Sequence, residues 1–124
     1  MSVFRKIDPI LESTAKQLGA ELSKDRLDYH ESLRTFEERR IDWEKDGVRK
    51  GIIIQPKFTL KGVDSSFWRL VNVAWIPIEK PGGKKTWSKN LILDQPFELI
   101  ENKLELLLKE SIQILQDVTV HDLT

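Results

Sequence analysis

Cysteine is absent from the 124 residues of this chain, which excludes disulfides, thiol nucleophiles and cysteine-based zinc sites. The sequence also lacks any run of about 18 consecutive apolar residues, the length that a membrane-spanning helix requires. Its N-terminal residues include acidic side chains and no apolar stretch typical of a signal peptide. We therefore expect a protein of the cytoplasm, a reducing compartment, with no membrane segment.

An excess of charge of either sign is also missing, because 20 lysine and arginine residues balance 20 aspartate and glutamate residues. Most nucleic-acid binders carry a basic excess or a concentrated basic patch, so the balance argues against a DNA or RNA partner. Hydrophobic residues make up 40% of the chain and charged residues 32%, which is typical of a folded domain with a charged surface. At this length we expect a single domain spanning residues 1–124.

Recognisable catalytic motifs are scarce. His30-Glu31 begins like the HExxH zinc motif, but Arg34 stands where the second histidine should be. The other histidine, His121, lies near the end of the chain, and no serine stands in a GxSxG nucleophile turn. We therefore expect no metal and no cofactor, and we favour a non-enzymatic protein.

Apolar residues recur at three- and four-residue steps near both ends of the chain, which predicts two amphipathic helices. The first is expected over Val3–Leu22. The second is expected over Gln95–Asp117, with Asp94 as its N-cap and Pro96 in its first turn. The remaining Val118–Thr124 is expected to form a loose tail.

Four strands are expected between the helices, over Thr35–Lys45, Val48–Phe58, Ser66–Ile78 and Thr86–Leu93. Asp46-Gly47 joins the first two and is a strong hairpin signal, whereas Ser23–Arg34 fits either a helix or a connection. Short connections favour a meander with the second and third strands in the middle. The predicted fold is α+β, a two-layer sandwich in which a four-stranded antiparallel meander carries both helices on one face.

The strand predicted over Ser66–Ile78 is apolar on both of its faces, whereas a strand with one wet face should alternate. The two helices can cover only one of these faces. If Trp68 faces the helices, the open patch consists of Val71, Val73 and Trp75; otherwise it consists of Trp68, Leu70, Ala74 and Ile76. Aromatic and aliphatic side chains on an uncovered face indicate a contact surface. We therefore predict a binding domain that acts through this face, most simply by self-association, with a different protein partner equally allowed.

A second possible binding site lies at the turn after this strand. Lys84 and Lys85 follow Pro81-Gly82-Gly83, and Trp87 and Lys89 come shortly after. Lysine supplies positive charge and tryptophan a stacking face. An alternative function is therefore the binding of an anion or small ligand at this hairpin tip.

A third interpretation rests on the spacing of Asp42 and Gln55-Pro56-Lys57. This spacing resembles the active site of PD-(D/E)xK nucleases, in which an aspartate and an (Asp/Glu/Gln)-x-Lys sequence lie on paired strands. The resemblance implies a metal-dependent nuclease with Asp42, Gln55 and Lys57 as catalytic residues and Glu12 or Glu21 as an additional acid. In such a site carboxylates hold Mg²⁺ and the lysine positions water.

Overall fold

The computed structural model describes residues 2–29, 34–76 and 86–123. Its helices and strands are α1 Asp8–Leu18, β1 Glu21–Tyr29, β2 Arg34–Lys45, β3 Val48–Thr59, β4 Gly62–Trp75, β5 Thr86–Gln95 and α2 Phe97–Gln116. The five strands form one antiparallel sheet in the order β1-β2-β3-β4-β5. The fold is therefore an α+β meander flanked by two helices, with five strands in place of the four expected.

The additional strand, β1, arises because the first helix is shorter than Val3–Leu22. Gly19 ends α1 in the left-handed conformation, with φ of 65°, and its N–H caps the helix, a conformation that glycine adopts at little cost. At the other end, Val3–Lys6 forms a separate 3₁₀ turn, and Pro9 lies in the first turn of α1. Residues 23–29 of the segment Ser23–Arg34, for which the sequence allowed a helix or a connection, thus belong to an edge strand paired with β2.

The predicted hairpin at Asp46-Gly47 is confirmed. Both residues have positive φ, 53° and 79°, as in the type I′ turn that matches the twist of the flanking strands. The turn sets Lys45 opposite Val48 and thereby fixes the register of β2 and β3. Strand β4 begins earlier than expected, at Gly62, and residues 77 and 78 lie outside the described residues.

Both helices pack on the same face of the sheet. On β4 the side chains that face them are Trp68, Leu70, Asn72 and Ala74, all at most 4% exposed. Phe4, Trp68 and Phe97 form an edge-to-face aromatic group, with ring centroids 5.1–5.6 Å apart. This group joins the N-terminal turn, the sheet and the start of α2 in one core.

The second helix begins and ends differently from the expectation. Asp94 is not its N-cap but a residue of β5 with φ of 54°, and the capping position is Pro96, which makes no side-chain capping bond. After α2, Val118 and Leu123 are buried in the core rather than loose. Asp122 holds this 3₁₀ segment by accepting a 2.7 Å hydrogen bond from the Thr119 backbone.

Candidate interaction surface

The orientation of Trp68 decides which residues lie opposite the helices. Its side chain is 4% exposed, and its Nε1 donates a 2.9 Å hydrogen bond to the carbonyl of Ser65. Strand alternation then places Val71, Val73 and Trp75 on the opposite side, where each is half-buried. This is the first of the two arrangements that the sequence allowed.

We call the side of the sheet opposite the helices the open face. Two neighbouring cross-strand rows run across its centre from β1 to β5. One row is Glu21, Asp42, Gly51, Val73 and Ser88, and the other is Ser23, Arg40, Ile53, Val71 and Asn90. The face is thus charged on the β2 side, apolar on β3 and β4, and lined by small polar residues on β5.

The apolar stripe of the open face consists of Ile53, Val71, Val73 and Trp75. Its members come from the two central strands, so they lie next to one another across the sheet. Ile53 is 9% exposed although it is not part of the core under the helices. The stripe is therefore a continuous apolar surface that neither helix covers.

Gly51 allows three side chains of the open face to converge. A Cβ atom at this position would lie 2.7 Å from Asp42 Oδ1, 3.2 Å from Val73 Cγ2 and 3.7 Å from the Trp75 ring. The first of these distances is too short for any real side chain. Because residue 51 is glycine, the Asp42 carboxylate leans over β3 and borders the apolar stripe.

Arg40 and Asp42 form an ion pair beside the stripe. Their Nη2 and Oδ1 atoms are 3.4 Å apart, and the two side chains are 32% and 28% exposed. An ion pair with this degree of solvent contact contributes at most about 1 kcal/mol to stability. Both groups therefore remain available to a partner that approaches the open face.

Two basic side chains converge on one carboxylate at the end of the open face where Arg69 lies. Arg69 and Lys57 share the carboxylate of Asp94, at 3.4 Å and 3.5 Å. Arg69 Nε is buried and has no hydrogen-bond partner among the described residues.

The structure separates the residues of the nuclease resemblance. Asp42 stands opposite Gly51, four residues along β3 from Gln55, or about 13 Å at the usual rise of a strand. Lys57 lies beyond a register shift after Pro56, opposite Asp64 of β4, and its Nζ forms a 3.5 Å ion pair with Asp94 of β5. Among the possible additional acids, Glu21 stands directly opposite Asp42. In the described ranges, three or more potential metal ligands are nowhere gathered together.

Only part of the predicted anion-binding tip can be placed. Lys84 and Lys85 lie outside the described residues. Trp87 stands opposite Ala74 on the helix side of the sheet and packs against the core. Lys89 is exposed on the same side, opposite Asn72. Trp87 and the apolar stripe are therefore on different faces.

Buried polar residues beneath α2 were not foreseen from the sequence. Lys50, Asn72 and Ser111 are 3%, 0% and 0% exposed. Burial, with a smaller contribution from Lys45, lowers the pKa of Lys50 from its ordinary value of 10.5, while Asp46 and Asp117 partly offset this. No sequence signal marks these positions, because each lies within an otherwise apolar strand or helix face.

On the helix side of the protein, a groove of about 350 Å³ lies between α1 and α2. Its lining residues are Pro9, Ile10, Ser13, Thr14, Gln17, Glu105, Leu108, Lys109 and Ile112. The floor is apolar, and the rim carries one acidic and one basic residue. The groove does not favour a ligand of either charge.

Neither helix in the described ranges is long and apolar enough to cross a membrane. A scan against protein-family models gives no match, and searches of curated proteins and of solved structures find none either.

Proposed function

We propose that this protein is a small non-enzymatic interaction domain that binds protein partners through the open face, with a second copy of itself as the simplest partner. The observation that carries the proposal is the apolar stripe, which lies on interior strands while both helices pack on the other side. Partly exposed apolar surface of this kind favours protein contacts.

The charge distribution supports a second copy as the partner. Arg40 and Asp42 bring both signs to the open face, and the chain as a whole has a formal net charge of zero. Two identical surfaces can therefore approach without overall repulsion. A two-fold dimer would bury the same stripe twice.

The size of the face sets the strength expected. Five strands about 4.8 Å apart and seven residues rising about 3.3 Å each give a face of roughly 20 Å by 23 Å, on the order of 500 Å². Stable interfaces bury about 800 Å² on each partner. We therefore expect reversible association at micromolar concentrations.

Sedimentation velocity over a low- to high-micromolar concentration series tests the proposal. The wild-type protein should shift from monomer to dimer. Val73→Glu should abolish the shift, because it places a charge in the stripe, where it would be desolvated without a partner.

Leu106→Glu is the matched control, since Leu106 is 64% exposed on α2, in the other layer. It introduces the same charge and should leave the dimer intact. A wild-type protein that stays monomeric throughout the series would contradict self-association. Loss of the dimer in Leu106→Glu but not in Val73→Glu would assign the contact to the helices instead.

A further inference from the structure

We infer that two copies pair across the open face about a two-fold axis that runs through the interface at right angles to the strands, with Arg40 of each copy against Asp42 of the second copy. This inference rests on the proposed function and specifies its geometry. It follows because such an axis places the row that contains Arg40 in one copy against the row that contains Asp42 in the second copy.

The two rows are neighbours, because Arg40 and Asp42 are two residues apart on β2, as are Val71 and Val73 on β4. An axis midway between the rows places β2 over β2 and β4 over β4 of the second copy. Each row then faces the other. Arg40 meets the second copy's Asp42, and Val71 meets the second copy's Val73.

The position of Asp42 favours this arrangement. Its carboxylate leans over Gly51 toward the centre of the face. A second sheet would lie about 10 Å away, and it would remove this carboxylate from water. A carboxylate in that position needs an opposite charge, and the second copy supplies Arg40.

The cross-strand rows on either side of these two rows also exchange under this axis. The same axis exchanges Arg69 with Trp75 on β4, which sets a guanidinium with an unpartnered Nε against an aromatic ring of the second copy. Such cation–π contacts are favourable when they are shielded from solvent. On β2 the axis brings Glu38 toward the second copy's Glu44, whose charge Arg49 offsets from 3.9 Å.

An axis parallel to the strands gives a poorer match. Centred on β3, it would place β2 over β4, so that Asp42 faces Val73 and Arg40 faces Val71 of the second copy. Both charged groups would then be desolvated against neutral side chains. The opposite charges on β2 therefore select the axis across the strands.

Charge exchange tests this geometry. Arg40→Asp alone sets two carboxylates against each other on each side of the dimer axis, and Asp42→Arg alone sets two guanidinium groups against each other there. Each variant should dimerise at least about tenfold more weakly than wild type. An equimolar mixture of the two variants restores opposite charges at both contacts and should form a heterodimer.

The experiment uses sedimentation of fluorescently labelled Arg40→Asp protein titrated with unlabelled Asp42→Arg protein, with circular dichroism to verify that each variant is folded. The double variant R40D/D42R should dimerise by itself, because its charges are exchanged but remain complementary. Dimers of wild-type strength in both single variants would overturn this geometry and leave the proposed function in place. Two weakened variants that fail to recombine would also overturn it. A monomeric wild type would instead remove the proposed function.

Discussion

Asn72 is fully buried on the helix side of β4, yet neither its amide nitrogen nor its amide oxygen has a hydrogen-bond partner among the described residues. Ser111 on α2 is in the same situation. Both residues belong to the layer between α2 and the sheet. A buried polar group without a partner costs about 1–3 kcal/mol, so this layer is less stable than its burial alone suggests.

Removing these polar groups should therefore stabilise the protein. Asn72→Val keeps a side chain of similar size and suits a strand, and Ser111→Ala also improves helix propensity. Each should raise the free energy of unfolding by about 1 kcal/mol, measured by urea denaturation. A loss of stability in both variants would show that water or another bound group satisfies the two side chains.

The lowered pKa of Lys50 should make the free energy of unfolding depend on pH. Because its pKa is lowered in the folded protein, the unfolded chain binds more protons between the folded pKa and 10.5, and stability rises with pH across that window. Lys50→Met removes this dependence. The variant should be more stable than wild type at neutral pH, and the difference should shrink toward pH 10.5, as read from thermal melts at several pH values. A constant difference would contradict the proposed effect of burial.

At the scale of elements, a largely buried ion pair fastens α1 to the sheet. Arg39 of β2 donates from Nε and Nη2 to the two carboxylate oxygens of Asp8, at 2.9 Å and 3.2 Å. The arginine side chain is only 8% exposed, and its guanidinium lies 4.2 Å from the centre of the Phe4 ring. The pair therefore joins the start of α1, the N-terminal turn and the interior of the sheet.

Substituting only one partner of this ion pair should lower the free energy of unfolding. Asp8→Asn leaves the buried guanidinium without its counter-charge and should lower stability by about 3 kcal/mol. Arg39→Met should cost less, because Asp8 is nearer to solvent. The double variant should be less destabilised than the sum of the two, as measured in a urea double-mutant cycle. Strict additivity would show that the two side chains do not interact.

Some elements were predictable because one local signal determines them. Asp46-Gly47 identified the β2–β3 hairpin, since few other dipeptides adopt two positive φ angles. The apolar spacing of α2 identified that helix. Strand β1 was missed because Lys24 and its charged neighbours hide any alternation, which is common in edge strands. Asp94 was misassigned because its sequence suits a helix cap, whereas contacts with Lys57 and Arg69 hold it in β5.

The candidate site was predictable only in part. The two-faced pattern of β4 indicated an uncovered face, and the structure shows which residues occupy it. The sequence did not predict that charged residues border the apolar stripe, because the positions of Arg40 and Asp42 relative to the stripe depend on register. Register across a hairpin and the space above Gly51 are properties of the folded sheet.

At the scale of the whole molecule, the two edge strands of the sheet, β1 and β5, are charged or irregular, whereas the open face carries a continuous apolar stripe. Strand β1 follows α1 almost directly, and Lys24 on it binds Glu12 of α1. Strand β5 shifts register twice against β4 and turns into the left-handed conformation at Asp94. Irregular or charged edges resist pairing with further strands.

These edges determine what kind of assembly the sheet can form. A chain that added strands at its edges could grow without limit into fibres. Here both edges resist growth, while the proposed two-fold contact would use the face of each sheet that neither helix covers. Association should therefore stop at two chains, and the sedimentation series should show no species larger than a dimer even at the highest concentration.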